Sequence, residues 1–171
     1  MPPNLLLKCL AQEYLATTPF KAGETVQLGW FVFRIVDNNS PPELEMLDFV
    51  KMASFTADFS KAEEIREQQT AILTQTDSEA EECTHNQAAF VSRSYAAGHP
   101  KAFMERQAKA DNNDSGWYVG VKDDERSMKD LKSFGWHSLY ELSIADPRML
   151  PYWMLPVGKR VFLSSGLVES V

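Results

Sequence analysis

The stretch Asp114-Ser115-Gly116-Trp117-Tyr118-Val119-Gly120-Val121 constrains this chain more than any other part of it. It follows a polar run, residues 109–113, that is full of turn formers. Asp114 and Ser115 can bond neighbouring backbone groups, and Gly116 can take a positive φ angle. The aromatic and β-branched residues that come next fit a pleated, half-buried strand. A turn that feeds a large ring straight into a strand predicts a buried Trp117 and a positive φ at Gly116. Gly120 predicts a bulge or the close approach of another backbone. Residues 146–158 are a second anchor, strongly apolar but cut by Pro147, Pro151 and Pro156, which forbid one long helix. That segment has to pack in short turns, and its expected place is beside the Trp117 strand, with Pro156 and Gly158 as structural residues.

At 171 residues the chain is long enough for one ordinary domain or two small halves that share a core. Its 44% hydrophobic content is that of a globular protein. No apolar run approaches the roughly 18 residues that a membrane span needs. The opening residues lack a basic leader, and Lys8 sits directly before Cys9. They are expected to form an amphipathic helix capped by Asn4, not a secretory signal, which places the chain in the cytoplasm. Cys9 and Cys83 lie far apart and read as free thiols in a reducing compartment. The net charge of -7 is uneven: residues 1–86 hold 6 Lys/Arg against 14 Asp/Glu, and residues 87–171 hold 11 against 10. An acidic chain repels phosphate backbones, which argues against nucleic acid as a partner and leaves a basic protein as one that would be attracted. Solubility alone accounts for the same charge.

Helical spacing over 4–16 puts Leu5, Leu6, Cys9, Leu10 and Tyr14 on the apolar side. Residues 26–36 alternate as one strand, apolar on both faces from Trp30 onward, and therefore central. A loop at 37–42 leads to a return strand at 43–49. A helix runs from Asp58 or Ser60 to about Gln75, with Ser60 and Glu63 at capping-box spacing. Its buried stripe is Ala62, Ile65, Ile72 and Leu73; Lys61, Glu63, Glu64, Arg66 and Glu67 face water. Residues 76–84 are acidic and read as a solvated linker between the halves. Beyond it, strands are expected at 88–92, at 136–142 and at the edge over 160–164. Residues 102–107 form either a strand paired with 88–92 or a short helix. Residues 122–125 form a charged turn, and 127–134 a helix ended by Gly135. This is an α+β chain, with a mixed, mainly antiparallel sheet and a few helices packed on it. An N-terminal extension, 1–82, and a domain, 83–171, are expected to share one structural unit.

The residue types that carry chemistry do not converge. His85, His99 and His137 are each isolated, and Cys83 with His85 is a lone pair, so no metal site is expected. Ser115 lies between Asp114 and Gly116 but outside any Gly-x-Ser-x-Gly elbow, which makes the pair a turn-bonding device. No glycine-rich phosphate loop is present, and no cofactor is implied. Asp123, Asp124 and Glu125 are consecutive, which suits a solvated loop better than a cleft. Four tryptophans and ten phenylalanines mostly signal core. Trp153, next to Tyr152 and squeezed between two prolines, stands out as a partly exposed aromatic anchor.

Several of these blocks occur together in a pattern. A strand ends in Ser92-Arg93, and a Gly-His-Pro turn follows at 98–100. Then come Asn113-Asp114-Ser115-Gly116-Trp117, the acidic turn at 123–125, and Tyr140-Glu141-Leu142. The series closes with 146–151 and Leu155-Pro156-Val157-Gly158. Over about residues 87–163 the chain resembles immunity family thirty-three of the bacterial polymorphic toxin systems, formerly a domain of unknown function. That resemblance implies a small α+β domain without catalytic residues or cofactor, which neutralises a cognate toxin by binding it. Residues 1–82 fall outside the pattern.

The expectation is therefore a non-enzymatic protein with a protein toxin as partner. Asp123, Asp124, Glu125, Tyr152 and Trp153 would contact the toxin, while Asp114, Ser115, Gly116, Trp117, Pro156 and Gly158 shape the fold. The alternatives are a small hydrolase-like enzyme built on Asp114, Ser115 and His137, or a housekeeping interaction adaptor.

Overall fold

The computed structural model describes residues 6–17, 20–37, 39–124 and 131–171, and the chain divides into two compact units, Met1–Gln68 and Gln69–Val171. In the first, helix α1 spans Leu6–Ala16 and the run at 26–36 is a hairpin, not one strand. Strands β1 (Thr25–Leu28) and β2 (Phe31–Asp37) pair antiparallel, Leu28 opposite Phe31, across a turn at Gly29-Trp30. Gly29 takes a φ of +57°, which lets the chain reverse there in two residues. Strand β3 (Glu43–Leu47) returns beside β2, and a two-residue β4 (Phe55–Thr56) completes the order β1-β2-β3-β4. β2 is thus central, and Phe31, Val32, Phe33 and Ile35 are all buried.

Two helix expectations in this unit are overturned. On α1 the buried stripe is Leu7, Ala11 and Leu15, whereas Leu6, Leu10 and Tyr14 are exposed. Each residue turns a helix by about 100°, so a reading displaced by one residue selects a different face. Asn4, its expected cap, lies outside the described residues. Helix α2 (Ser60–Gln75) starts where expected, but Glu63 is buried instead of facing water. Its carboxylate accepts from Arg66 Nε at 2.9 Å and from the backbone N–H of Leu7. The Glu63 carboxylate therefore serves a backbone N–H in the first turn of α1, 56 residues away.

The second unit is built on a six-stranded sheet ordered β10-β9-β6-β7-β5-β8. The strands are β5 (Ala88–Ser92), β6 (Ala102–Arg106), β7 (Asp114–Val121), β8 (Phe134–Ser138), β9 (Lys159–Phe162) and β10 (Leu167–Ser170). β5 and β7 run parallel and every other pair is antiparallel, so the sheet is mixed and mainly antiparallel. β6 is a strand, but it pairs with β7 and β9, not with β5. The strand expected over 136–142 ends at Ser138, whose hydroxyl accepts from Glu141 N while the Glu141 carboxylate accepts from Ser138 N. That capping box starts helix α3 (Leu139–Ala145). The strand over 160–164 is not an edge: β9 lies between β6 and β10, and the edges are β10 and β8. The helix expected over 127–134 falls partly on residues outside the description; Leu131–Ser133 is a 3₁₀ turn and Phe134 is already in β8.

Candidate functional site

Alternation along the strands gives the second sheet two unlike faces. One carries Ala89, Val91, Met104, Arg106, Trp117, Val119 and Val161, all buried. Asp146 accepts from Arg148 N and so opens the 3₁₀ helix Pro147–Tyr152, which ends at Trp153. Trp153 lies edge-on to Trp117 with ring centroids 5.6 Å apart, and its carbonyl accepts from Trp117 Nε1 at 3.3 Å. The proline-cut segment does pack beside the Trp117 strand. Trp153 itself is 0% exposed and donates from Nε1 to Ser143 Oγ at 2.8 Å. The expectation of a partly exposed Trp153 is wrong: the prolines bend the segment so that this ring points into the core. Tyr152 is half-buried.

The Asp114 turn works through its hydrogen bonds. Asp114 Oδ1 accepts from Gly116 N at 2.7 Å and Oδ2 from Ala110 N at 2.8 Å. Ser115 Oγ donates to Ala88 O at 2.8 Å and accepts from Trp117 N at 3.1 Å. Gly116 has φ +77°, and a Cβ there would run into the Gln107 carbonyl. Trp117, 1% exposed, enters the core directly behind it. Gly120 is a close-approach position, although the group over it is the Tyr118 side chain.

Arg106 is fully buried, with its guanidinium 5.3 Å from the Trp117 ring. Its ion-pair partner is Glu81, at 3.5 Å, which also accepts from Val157 N at 3.0 Å. Cys83, buried nearby in sequence, donates its thiol to Trp153 O at 3.1 Å, and burial pushes its pKa up to about 11. Residues 76–84 are consequently no free linker. They have no regular structure, but Glu81 and Cys83 tie them to the domain. Gly158, at φ +84°, donates to Arg106 O and accepts from Val171 N, both at 2.9 Å. Pro156, half-buried, precedes that junction.

The opposite face of the sheet is a band of half-exposed rings. Phe162, Phe103, Tyr118, Phe90 and Trp136 follow one another across β9, β6, β7, β5 and β8, with successive centroids 6.5, 5.7, 6.5 and 5.1 Å apart. Trp136 is 57% exposed. A hollow of about 400 Å³ lies on one side of Tyr118, between Phe103, Phe162 and the turn after β7. Another, of about 340 Å³, lies on its other side, between Phe90, Trp136 and Ala108. Burial and the nearby carboxylates of Asp124 and Glu105 push the Tyr118 hydroxyl pKa up.

The acidic turn borders the larger hollow. Asp123 is exposed, takes φ +67° and pairs with Lys101 at 3.3 Å. Asp124 is half-buried and accepts from Ser92 Oγ at 2.9 Å and from Ser94 Oγ, so it ties the end of β7 to the end of β5. Glu125 lies outside the described residues. Among those described, no group of three or more His, Cys, Asp or Glu side chains could hold a metal ion. No described helix is long and apolar enough to cross a membrane.

The family model of the Imm33-like domain matches residues 68–171, well over half of the chain. The chain belongs to the Imm33-like domain family. No curated protein and no solved structure matches it. The Imm33-like domain reaches further toward the N-terminus than residue 87 and takes in the end of α2 and the Glu81 segment. Gln69, at the start of the match, is buried and donates from Nε2 to Leu150 O at 3.0 Å.

Two motifs that are separate in sequence meet in this domain. Asp146, 3% exposed, accepts from Tyr95 Oη at 2.8 Å, from Gly98 N at 3.2 Å, and from Arg148 Nε and Nη2 at 2.8 and 2.7 Å. The Gly-His-Pro turn is thereby fastened to the Asp-Pro-Arg block. Burial alone would push the Asp146 carboxyl up, but the bonds from Arg148, Gly98 and Tyr95 outweigh it and hold the group low.

Rings in an apolar sequence read as core, which hides the aromatic face of the Imm33-like domain. A signal was present: Phe103, Tyr118 and Phe162 alternate with residues just as apolar, so a second face had to hold rings as well.

Proposed function

We propose that this chain is an immunity protein that binds a cognate bacterial protein toxin and neutralises it by occupying its surface, with no chemistry of its own. Membership of the Imm33-like family carries the reading. Two of the three side chains that a hydrolase would need are engaged elsewhere, which supports it: Ser115 bonds backbone groups on both sides, and Asp114 holds the turn, while His137 is exposed on β8. Asp123 and Asp124 follow β7 directly, and with Glu125, which lies outside the described residues, they are the acidic stretch to which a basic toxin would first be attracted. Tyr152, half-buried, is a second contact residue. The test is co-expression with the toxin encoded by the neighbouring gene. Cells carrying both genes are expected to survive, and the two proteins to be recovered as one complex. Death with or without this chain, and no complex at low salt, would refute the proposal.

A further inference from the structure

We infer that the aromatic face of the second sheet is the surface that retains the toxin, and that it receives uncharged apolar side chains on both sides of Tyr118. The inference rests on the immunity reading and adds to it the docking face and the chemistry of the occupant. Five rings from five adjacent strands form one band, and hollows of about 400 and 340 Å³ open on either side of its central tyrosine. Large, partly exposed aromatics of this kind dominate binding energy where proteins meet. The charges on the band decide what fits it. Glu105 accepts from Arg160 at 2.9 and 2.6 Å and from Gln107 at 3.2 Å. Arg160 also lies over the Phe103 ring at 5.4 Å, and Lys122 over Phe162 at 5.9 Å. Asp124 is bonded to two serines and Asp123 is paired with Lys101. A charged side chain entering here competes with these contacts and has to desolvate itself as well. An apolar side chain breaks none and gains the rings. Among the described residues of this face, Arg160 and Lys101 are paired with carboxylates, so a phosphate polymer finds no row of unpaired cations there and a protein surface is the occupant that the charges match.

The acidic turn lies at the rim of the same trough. Steering by charge and retention by rings are then adjacent, the first acting on association and the second on dissociation. The test is the dissociation constant of the complex with the neighbouring gene's toxin, for wild type and for Trp136→Ala and Tyr118→Ala, each checked by its thermal melt. Either truncation is expected to weaken binding by about 30-fold, with faster dissociation. 5-Fluorotryptophan built into this chain alone gives a second reading. Trp30, Trp117 and Trp153 are buried, and only Trp136 lies open. Its fluorine signal should be the solvent-sensitive one, and it should lose that sensitivity when toxin is added. Should Tyr118→Ala fail to fold, Trp136→Ala and the fluorine signal still decide. A wild-type chain that captures toxin, with Trp136→Ala binding within about twofold and an unchanged fluorine signal, overturns the docking face but leaves the immunity reading standing. A wild-type chain that captures no toxin overturns both.

Discussion

Gly116 shows how much structure one residue can decide. Its positive φ and the carbonyl of Gln107 against its α-carbon leave no room for a side chain, and Trp117 is delivered to the core in the next step. Gly116→Ala is expected to destabilise the domain by about 2 kcal/mol or more, through strain plus the clash. Trp117→Ala should cost about 3–5 kcal/mol through the cavity it leaves. Urea unfolding measures both, and a Gly116→Ala variant as stable as wild type would remove the turn from the account. Asp146 makes a pH-dependent contribution. Its folded carboxyl is held below the ordinary 3.8, so it stabilises the protein above that value and the stabilisation is lost as pH falls through the lowered one. Asp146→Asn is expected to lose about 2–3 kcal/mol at neutral pH and to flatten the acid limb of stability between about pH 5 and pH 2. Parallel pH profiles for the two proteins would contradict this. Only the first is legible in the sequence: the Asp-Ser-Gly turn is local chemistry, whereas Asp146 takes partners from 48 and 51 residues away.

At the level of elements, β5 is readable to the residue, since a short apolar run bounded by turn formers leaves few choices, whereas β7 starts at Asp114, three residues before the aromatic run. The failures are of two kinds: a tertiary partner overrules a local pattern, or one local pattern masks another. Alternation persists through Gly29-Trp30 although the chain reverses there, because the buried Trp30 ring fits either a strand or a packed turn. Glu63 reads as a capping residue, and its carboxylate serves a helix 56 residues away. Alternation across 136–142 hides the point where strand β8 becomes helix α3, although Ser138 and Glu141 held the capping signal. Ser138→Ala is expected to destabilise by about 1 kcal/mol, measured by thermal or urea unfolding. No change would mean that the β8 pairing alone fixes the start of α3.

At the scale of the whole molecule, the family match begins before residue 83, and so do side chains that make buried polar contacts in the domain. A fragment 83–171 lacks Glu81, the partner of the buried Arg106, and Gln69, the donor to Leu150 O. It is expected to melt about 5 °C or more below a fragment 69–171, since an unpaired buried guanidinium is costly. Equal melting temperatures would show that the Glu81 segment is dispensable. We further propose that the full chain unfolds as one cooperative unit; calorimetry should then give a single transition. The central claim is neutralisation by binding without turnover, and titrating the toxin's activity with this chain tests it most directly. Activity should fall linearly and reach zero at one equivalent, and then stay constant with time. Inactivation by a small fraction of an equivalent, growing with time, would make this chain an enzyme, and full activity at excess would end the immunity account.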